Sequence, residues 1–169
     1  VVTIKEGTTD VIIDGFVISG GNAIDGTDTD FTSNGKLKGG GMTIGAGSQV
    51  KIRRSAFIGN RAQQGGALYA YQTASLHLLN VLFAANRAEN GAGALWIDSR
   101  HPNGDDTVLL NNAFIESRAK SGNGGAVLIN KSGDGGEAPL VQIINTTFTG
   151  NHCSVGDGPP CSSQALYLQ

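Results

Sequence analysis

The feature that most constrains the fold of this chain is a repeat. Residues 50–71 read VKIRRSAFIGNRAQQGGALYAY, residues 77–97 read HLLNVLFAANRAENGAGALWI, and residues 108–129 read VLLNNAFIESRAKSGNGGAVLI. A fourth copy runs through VQIINTTFTGNHC (141–153) and SQALYL (163–168). A looser first copy runs through VIIDGFVISGGNA (11–23) and GGGMTI (39–44). Irregular repeats of this length signal a solenoid, in which each unit buries its apolar face on its neighbours.

Aligning the copies on their phenylalanine sets a register. Ile18, Phe57, Phe83, Phe114 and Phe148 fall in one column. Five residues earlier stand Ile13, Ile52, Leu78, Leu109 and Ile143, and two before those Val11, Val50, Leu76, Thr107 and Val141. Five residues after the phenylalanine come Ala23, Ala62, Ala88, Ala119 and Cys153. A second alternation aligns Met42/Ile44, Leu68/Ala70, Leu95/Ile97, Val127/Ile129 and Leu166/Leu168, and Val2/Ile4 fits the same columns. The period is two, so these are strands, and nothing repeats at 3.6 to make a helix. Short strands with Gly or Asn at the corners predict an all-β chain, a pectate-lyase-like right-handed parallel β-helix. It has three short strands per coil and about five coils plus a leading strand. Adjacent coils hydrogen-bond at about 4.8 Å. Asn80, Asn111 and Asn145, with Gly15 and Arg54 before them, are expected at a bend, because Asn tolerates left-handed backbone and its amides bond along a column. One β-helix domain over 1–169 is expected, with insertions at 24–38, 99–106, 131–140 and 154–162. Variable loops on a rigid coil are where function usually sits.

Composition narrows the partners. At 169 residues the chain can bury a core, and a formal net charge of -2 offers no general attraction to nucleic acid or an anionic membrane. No apolar run is long enough to span a bilayer as a helix. The chain opens with neither Met nor a signal-peptide pattern, so it reads as a processed or excised piece. Cys153 and Cys161 lie close together in a Gly/Pro-rich loop, an arrangement easily closed as a disulfide. A disulfide suits an extracytoplasmic setting.

Paired motifs carry a family resemblance. Phe-x-x-Asn occurs at 57–60, 83–86 and 148–151; Gly-Gly-Ala-aliphatic occurs at 65–68 and 124–127, with GAGAL at 91–95 as a variant. The alternation resembles the repeats of the chlamydial polymorphic outer-membrane proteins and of bacterial surface proteins with pectate-lyase-like β-helices. It covers the chain from about residue 11 to the end. The resemblance implies a secreted or surface-displayed β-helix, often adhesive.

Candidate sites follow from the register. If Leu68, Leu95, Val127 and Leu166 point in, alternation puts Tyr69, Trp96, Leu128 and Tyr167 outside, in line with Thr43 and Thr3. Beside them Gly41, Ala67, Ala94, Ala126 and Ala165 form a smooth strip. Such a stripe packs against another protein surface, stacks on sugar rings, or is covered by a loop of this chain such as 24–38. Arg61, Arg87 and Arg118, continued by His152, form a column of like charges; an anionic polymer, neighbouring acids such as Glu89 and Glu116, or water must offset it. Asp25, Asp28 and Asp30 are close enough to wrap Ca²⁺, though without an EF-hand spacing; a solvated loop is the plainer alternative, and no other cofactor is expected.

Catalysis by a fold of this kind needs convergent carboxylates, or a cation site with a base beside it. Asp14 and Arg53 share an outward column, but Leu79, Leu110 and Ile144 follow them. His77, His101 and His152 lie on different coils or loops. No nucleophile motif occurs. The expectation is therefore a non-enzymatic extracellular or cell-surface β-helix with a structural role, a self-assembling filament, sheath or stalk subunit. The alternatives are an adhesin domain that binds glycan or a surface protein through the aromatic stripe, and a polysaccharide lyase or glycoside hydrolase. Both ends of the chain read as uncapped strands, so it is expected to be either a piece of a longer β-helix or a unit that stacks head to tail on other copies.

Overall fold

A computed structural model describes residues 1–24, 37–98, 106–130, 140–154, 161 and 163–168. The chain is a parallel β-helix. Every strand pairing between its coils is parallel and links one coil to the next, and the described residues contain no helix.

Each coil has four short strands rather than the three expected. The first sheet has six strands: Val2–Ile4, Met42–Ile44, Leu68–Tyr71, Leu95–Asp98, Val127–Asn130 and Leu166–Leu168. The second has five: Val11–Asp14, Gln49–Arg53, Ser75–Leu79, Asp106–Leu110 and Val141–Ile144. The third has five: Val17–Ser19, Ala56–Ile58, Leu82–Ala84, Ala113–Ile115 and Thr147–Thr149. The fourth is made of dipeptides: Asn22–Ala23, Arg61–Ala62, Arg87–Ala88, Arg118–Ala119 and His152–Cys153. Two residues are too few to show a period, which is why the alanine column alone did not announce a strand.

The register agrees with the alignment of the copies. Phe57, Phe83, Phe114 and Phe148 pair directly, and Ile18 pairs with Phe57. Their rings stack with centroids 5.1, 4.7 and 5.1 Å apart and planes within 7°. Ile52, Leu78 and Leu109 lie beside them, fully buried.

Corners set the coil's shape. Between the second and third sheets, Gly15, Arg54, Asn80, Asn111 and Asn145 all have left-handed backbone, with φ from 46° to 75°. Here the expected bend column is present, and the Asn145 amide donates to Asn111 Oδ1 at 2.7 Å. The Phe-x-x-Asn asparagines serve the next corner. Asn86 Nδ2 donates to the Phe57 carbonyl at 2.9 Å, while Asn86 Oδ1 accepts from Asn60 N at 3.0 Å and from Asn60 Nδ2 at 3.1 Å. Asn60 and Asn151 do the same for the coils preceding theirs. These amides, buried at Asn60 and Asn86 and half-buried at Asn151, satisfy backbone groups that the turn leaves without ladder partners.

The Gly-Gly-Ala corner is steric. Gly65 and Gly124 have positive φ. At Gly66, which follows, a Cβ would lie 2.1 Å from the Gly93 carbonyl oxygen of the next coil. The third position points inward: a Cβ on Gly41 would lie 3.1 Å from both Ile18 Cγ2 and Phe57 Cδ1. The aligned Ala67, Ala94 and Ala126 are fully buried members of the core cluster. The smooth outer strip expected from these alanines is therefore an inner one. The chain bends just before the strand, so strict alternation does not extend back to it.

Candidate functional site

The aromatic stripe is not a free surface. Tyr69 and Leu128 are each only 3 % exposed, Thr43 is buried, and Trp96 and Tyr167 are half-buried. Two features cover this face. Lys38 pairs with Gln64 as an isolated parallel bridge, and its Nζ sits 4.6 Å from the Tyr69 ring centre and 5.8 Å from that of Tyr71. A cation above a ring face is attracted by the ring's quadrupole. The glycine corners do the rest: a Cβ on Gly91 would lie 2.1 Å from Trp96 Cζ3, so the backbone at Gly91 rests on the indole. Tyr69 and Trp96 have ring centroids 5.9 Å apart. Strand alternation gave the side of the sheet correctly; loop packing from the preceding segment decided that the side is covered. Trp96 Nε1 is buried with no acceptor among the described residues.

The arginine column forms the fourth sheet. Arg61 pairs with Arg87, Arg87 with Arg118, and Arg118 with His152. Among the described residues, one carboxylate answers these charges. Glu89 accepts from Arg61 at 2.5 and 3.2 Å and pairs with Lys120 Nζ at 3.2 Å, while Arg87 Nε stands 4.0 Å away. The hydrogen bond from Arg61 holds the Glu89 carboxyl below its ordinary range, with Lys120 adding to the effect and burial opposing it. Glu116, the other suggested partner, sits at a left-handed corner with its Cγ against Gly150 and makes no ion pair among the described residues. A hollow of about 200 Å³ opens between Arg87, Arg118, Lys120 and His152, floored by Ala119 and Ser154.

A second charged cluster lies on the outer face of the second sheet. Asp14 accepts from Arg53 Nε at 3.0 Å and from Arg54 Nε at 2.8 Å. The hydrogen bond from Arg54 is the main reason the Asp14 carboxyl lies below its ordinary range. The register places Leu79, Leu110 and Ile144 after Asp14 and Arg53 in this column. Nearby, a groove of about 220 Å³ is lined by Asp10, Gln49, Lys51, Ser75 and His77. It was not legible in the sequence, because the loop residue Asp10 joins strand residues of two further coils only after coiling. Among the described residues that line it, Asp10 is the one carboxylate.

Cys153 and Cys161 form a disulfide, with Cα atoms 6.0 Å apart. Asp25, Asp28 and Asp30 lie outside the described residues, as does His101. Among the described residues no three of His, Cys, Asp and Glu cluster as metal ligands. No helix is long and apolar enough to cross a membrane among them.

Comparison of the chain with protein-family models, with curated proteins and with solved structures finds no match in any of the three.

Proposed function

We propose that the chain is a non-enzymatic structural module, a length of extracellular or cell-surface β-helix whose end faces seat further coils. The observation that carries this reading is the apolar matching of the two end coils. At one end Phe16 is 60 % exposed, although Ser55 and Val81 in its column are buried. At the other, Leu168 is 56 % exposed, although Ile129 and Ile97 in its column are buried. Inside those coils Val11, Ile13 and Ile18, and opposite them Val141, Ile143 and Phe148, are only partly buried, although they continue columns buried everywhere between. A coil set on either face would complete the same columns. The motif resemblance to bacterial surface β-helices agrees, and a disulfide fits an oxidising setting.

A second copy of the chain is the occupant to test. Such a contact is heterologous and does not close, so it propagates. It also carries a geometric condition. The first sheet has six strands and the others five, so Val2–Ile4 of one copy and Leu166–Leu168 of the next would fall at the same level. One of these edge strands must yield for all four sheets to run on.

Sedimentation velocity across a concentration series, with electron microscopy of the same samples, tests the reading. Growth into linear assemblies is expected, and Phe16→Lys or Leu168→Lys should each block one face and stop it. A single monomeric species at every concentration would overturn self-assembly as the function.

A further inference from the structure

We propose that the fourth sheet carries a binding site for the carboxylate or sulfate groups of an acidic polysaccharide, laid along the β-helix axis. The argument begins with charge. Arg61, Arg87, Arg118 and Lys120 present four permanent cations, and Glu89 is the one carboxylate bonded to them among the described residues. Glu89 is already committed to Arg61 and Lys120, at 2.5 and 3.2 Å. Arg87 stands off at 4.0 Å, and Arg118 has no ionic partner among the described residues. Like charges directly opposite on neighbouring strands repel, and Glu89 offsets only the Arg61 end of the column, so an anion beside Arg87 and Arg118 would relieve the rest.

Geometry supplies the second part. The guanidiniums ride on parallel strands in strict register, so they recur about every 4.8 Å along the axis. His152 extends the row by one further strand. The hollow between Arg87, Arg118, Lys120 and His152, at about 200 Å³, has room for an acidic group together with the sugar that carries it. Arg presents a planar fork that matches a carboxylate or sulfate through two parallel hydrogen bonds. A linear polymer with a charge on every sugar or every second sugar keeps pace with such a row.

The lining also separates polymer classes. Single-stranded nucleic acid is held by basic grooves in which aromatic rings stack on the bases. Among the described residues the hollow has no Phe, Tyr or Trp, and His152 is its one ring; Ala119 and Ser154 complete its wall. A small floor and a hydroxyl beside the cations suit sugar hydroxyls. The overall charge of -2 makes the row a local feature rather than a property of the whole surface.

The test is calorimetric titration of the full chain with heparin, a sulfated polysaccharide, at low and at high salt, beside uncharged dextran and a single-stranded oligonucleotide. Heparin should bind at low salt, weaken as salt is raised, and outcompete both others. Arg87→Gln and Arg118→Gln should each weaken binding about tenfold. Arg118→Lys, which keeps the charge but loses the fork, should weaken binding less than Arg118→Gln, and Lys51→Gln on the second sheet should leave it unchanged. Unaltered circular dichroism melting of each variant separates lost binding from lost fold. The proposal is overturned if heparin does not bind, if the arginine variants bind as tightly as the native chain, or if the oligonucleotide binds equally well.

Discussion

The middle coils and the end coils have nearly the same sequence pattern and different physics. Phe57, Phe83 and Phe114 are fully buried, whereas Phe148 and Ile18, in the same column, are only partly so. Ile52, Leu78 and Leu109 are fully buried beside partly buried Ile13 and Ile143. In a solenoid a residue's burial is set by its two neighbouring coils, so a column is worth full value only in its interior. A repeat therefore announces the core but does not say which copies are sealed.

The most direct way to break that comparison is to truncate the stack at two places. Phe83→Ala should cost about 3–5 kcal/mol, the range for a buried aromatic, because ring contacts are lost on both faces. Phe148→Ala should cost clearly less. Equal losses by chemical denaturation would mean that the end coil is as well packed as the middle. Removing the Cys153–Cys161 bridge comes next. Closing so short a loop is worth about 2–3 kcal/mol in the chain-entropy picture. Since the bridge lies in the last coils, the loss should appear first as local opening there. Hydrogen exchange, compared between Thr147–Thr149 and Ala56–Ile58, would show it.

A smaller effect sharpens the comparison from within. Ser117 stands where Asn60, Asn86 and Asn151 stand in other coils, and its Oγ is buried with no partner among the described residues. Ser117→Asn should restore the ladder, with donation to the Phe83 carbonyl and acceptance from Asn86 N. A gain of about 1–2 kcal/mol is expected, read as a raised denaturant midpoint. The smallest effect is electrostatic. The Glu89 carboxyl is depressed below its ordinary value of 4.5, so its contribution is present above that pH and is lost as pH falls through the folded value. The melting difference between the native chain and Glu89→Gln should therefore shrink in acid. A difference that stayed constant with pH would remove Glu89 as the charge hub of the fourth sheet.

The sequence alone determined the coil register. Period-two columns, Phe on Phe and aliphatic on aliphatic, are visible because solenoid contacts join equivalent positions of successive repeats. The left-handed bend at Asn80, Asn111 and Asn145 was legible for the same reason: Asn at that spacing has a backbone cause. The arginine column was legible as a column. The sharing of Glu89 among it was named only as a possibility, since a carboxylate two residues on from Arg87 reaches back to Arg61 only once the strands stack.

Tertiary structure decided what lies over the coils and what lies between them. Tyr69, Trp96 and Leu128 face outward by alternation, yet Lys38 and the backbone at Gly91 lie on this face. No local pattern encodes such a cover. Ala67, Ala94 and Ala126 turn inward because the Gly-Gly corner bends the chain against the phenylalanine stack. Alternation is a property of extended backbone and ends where the corner begins. The sequence can mark a strand's two sides, but exposure is settled by whichever distant segment packs across them.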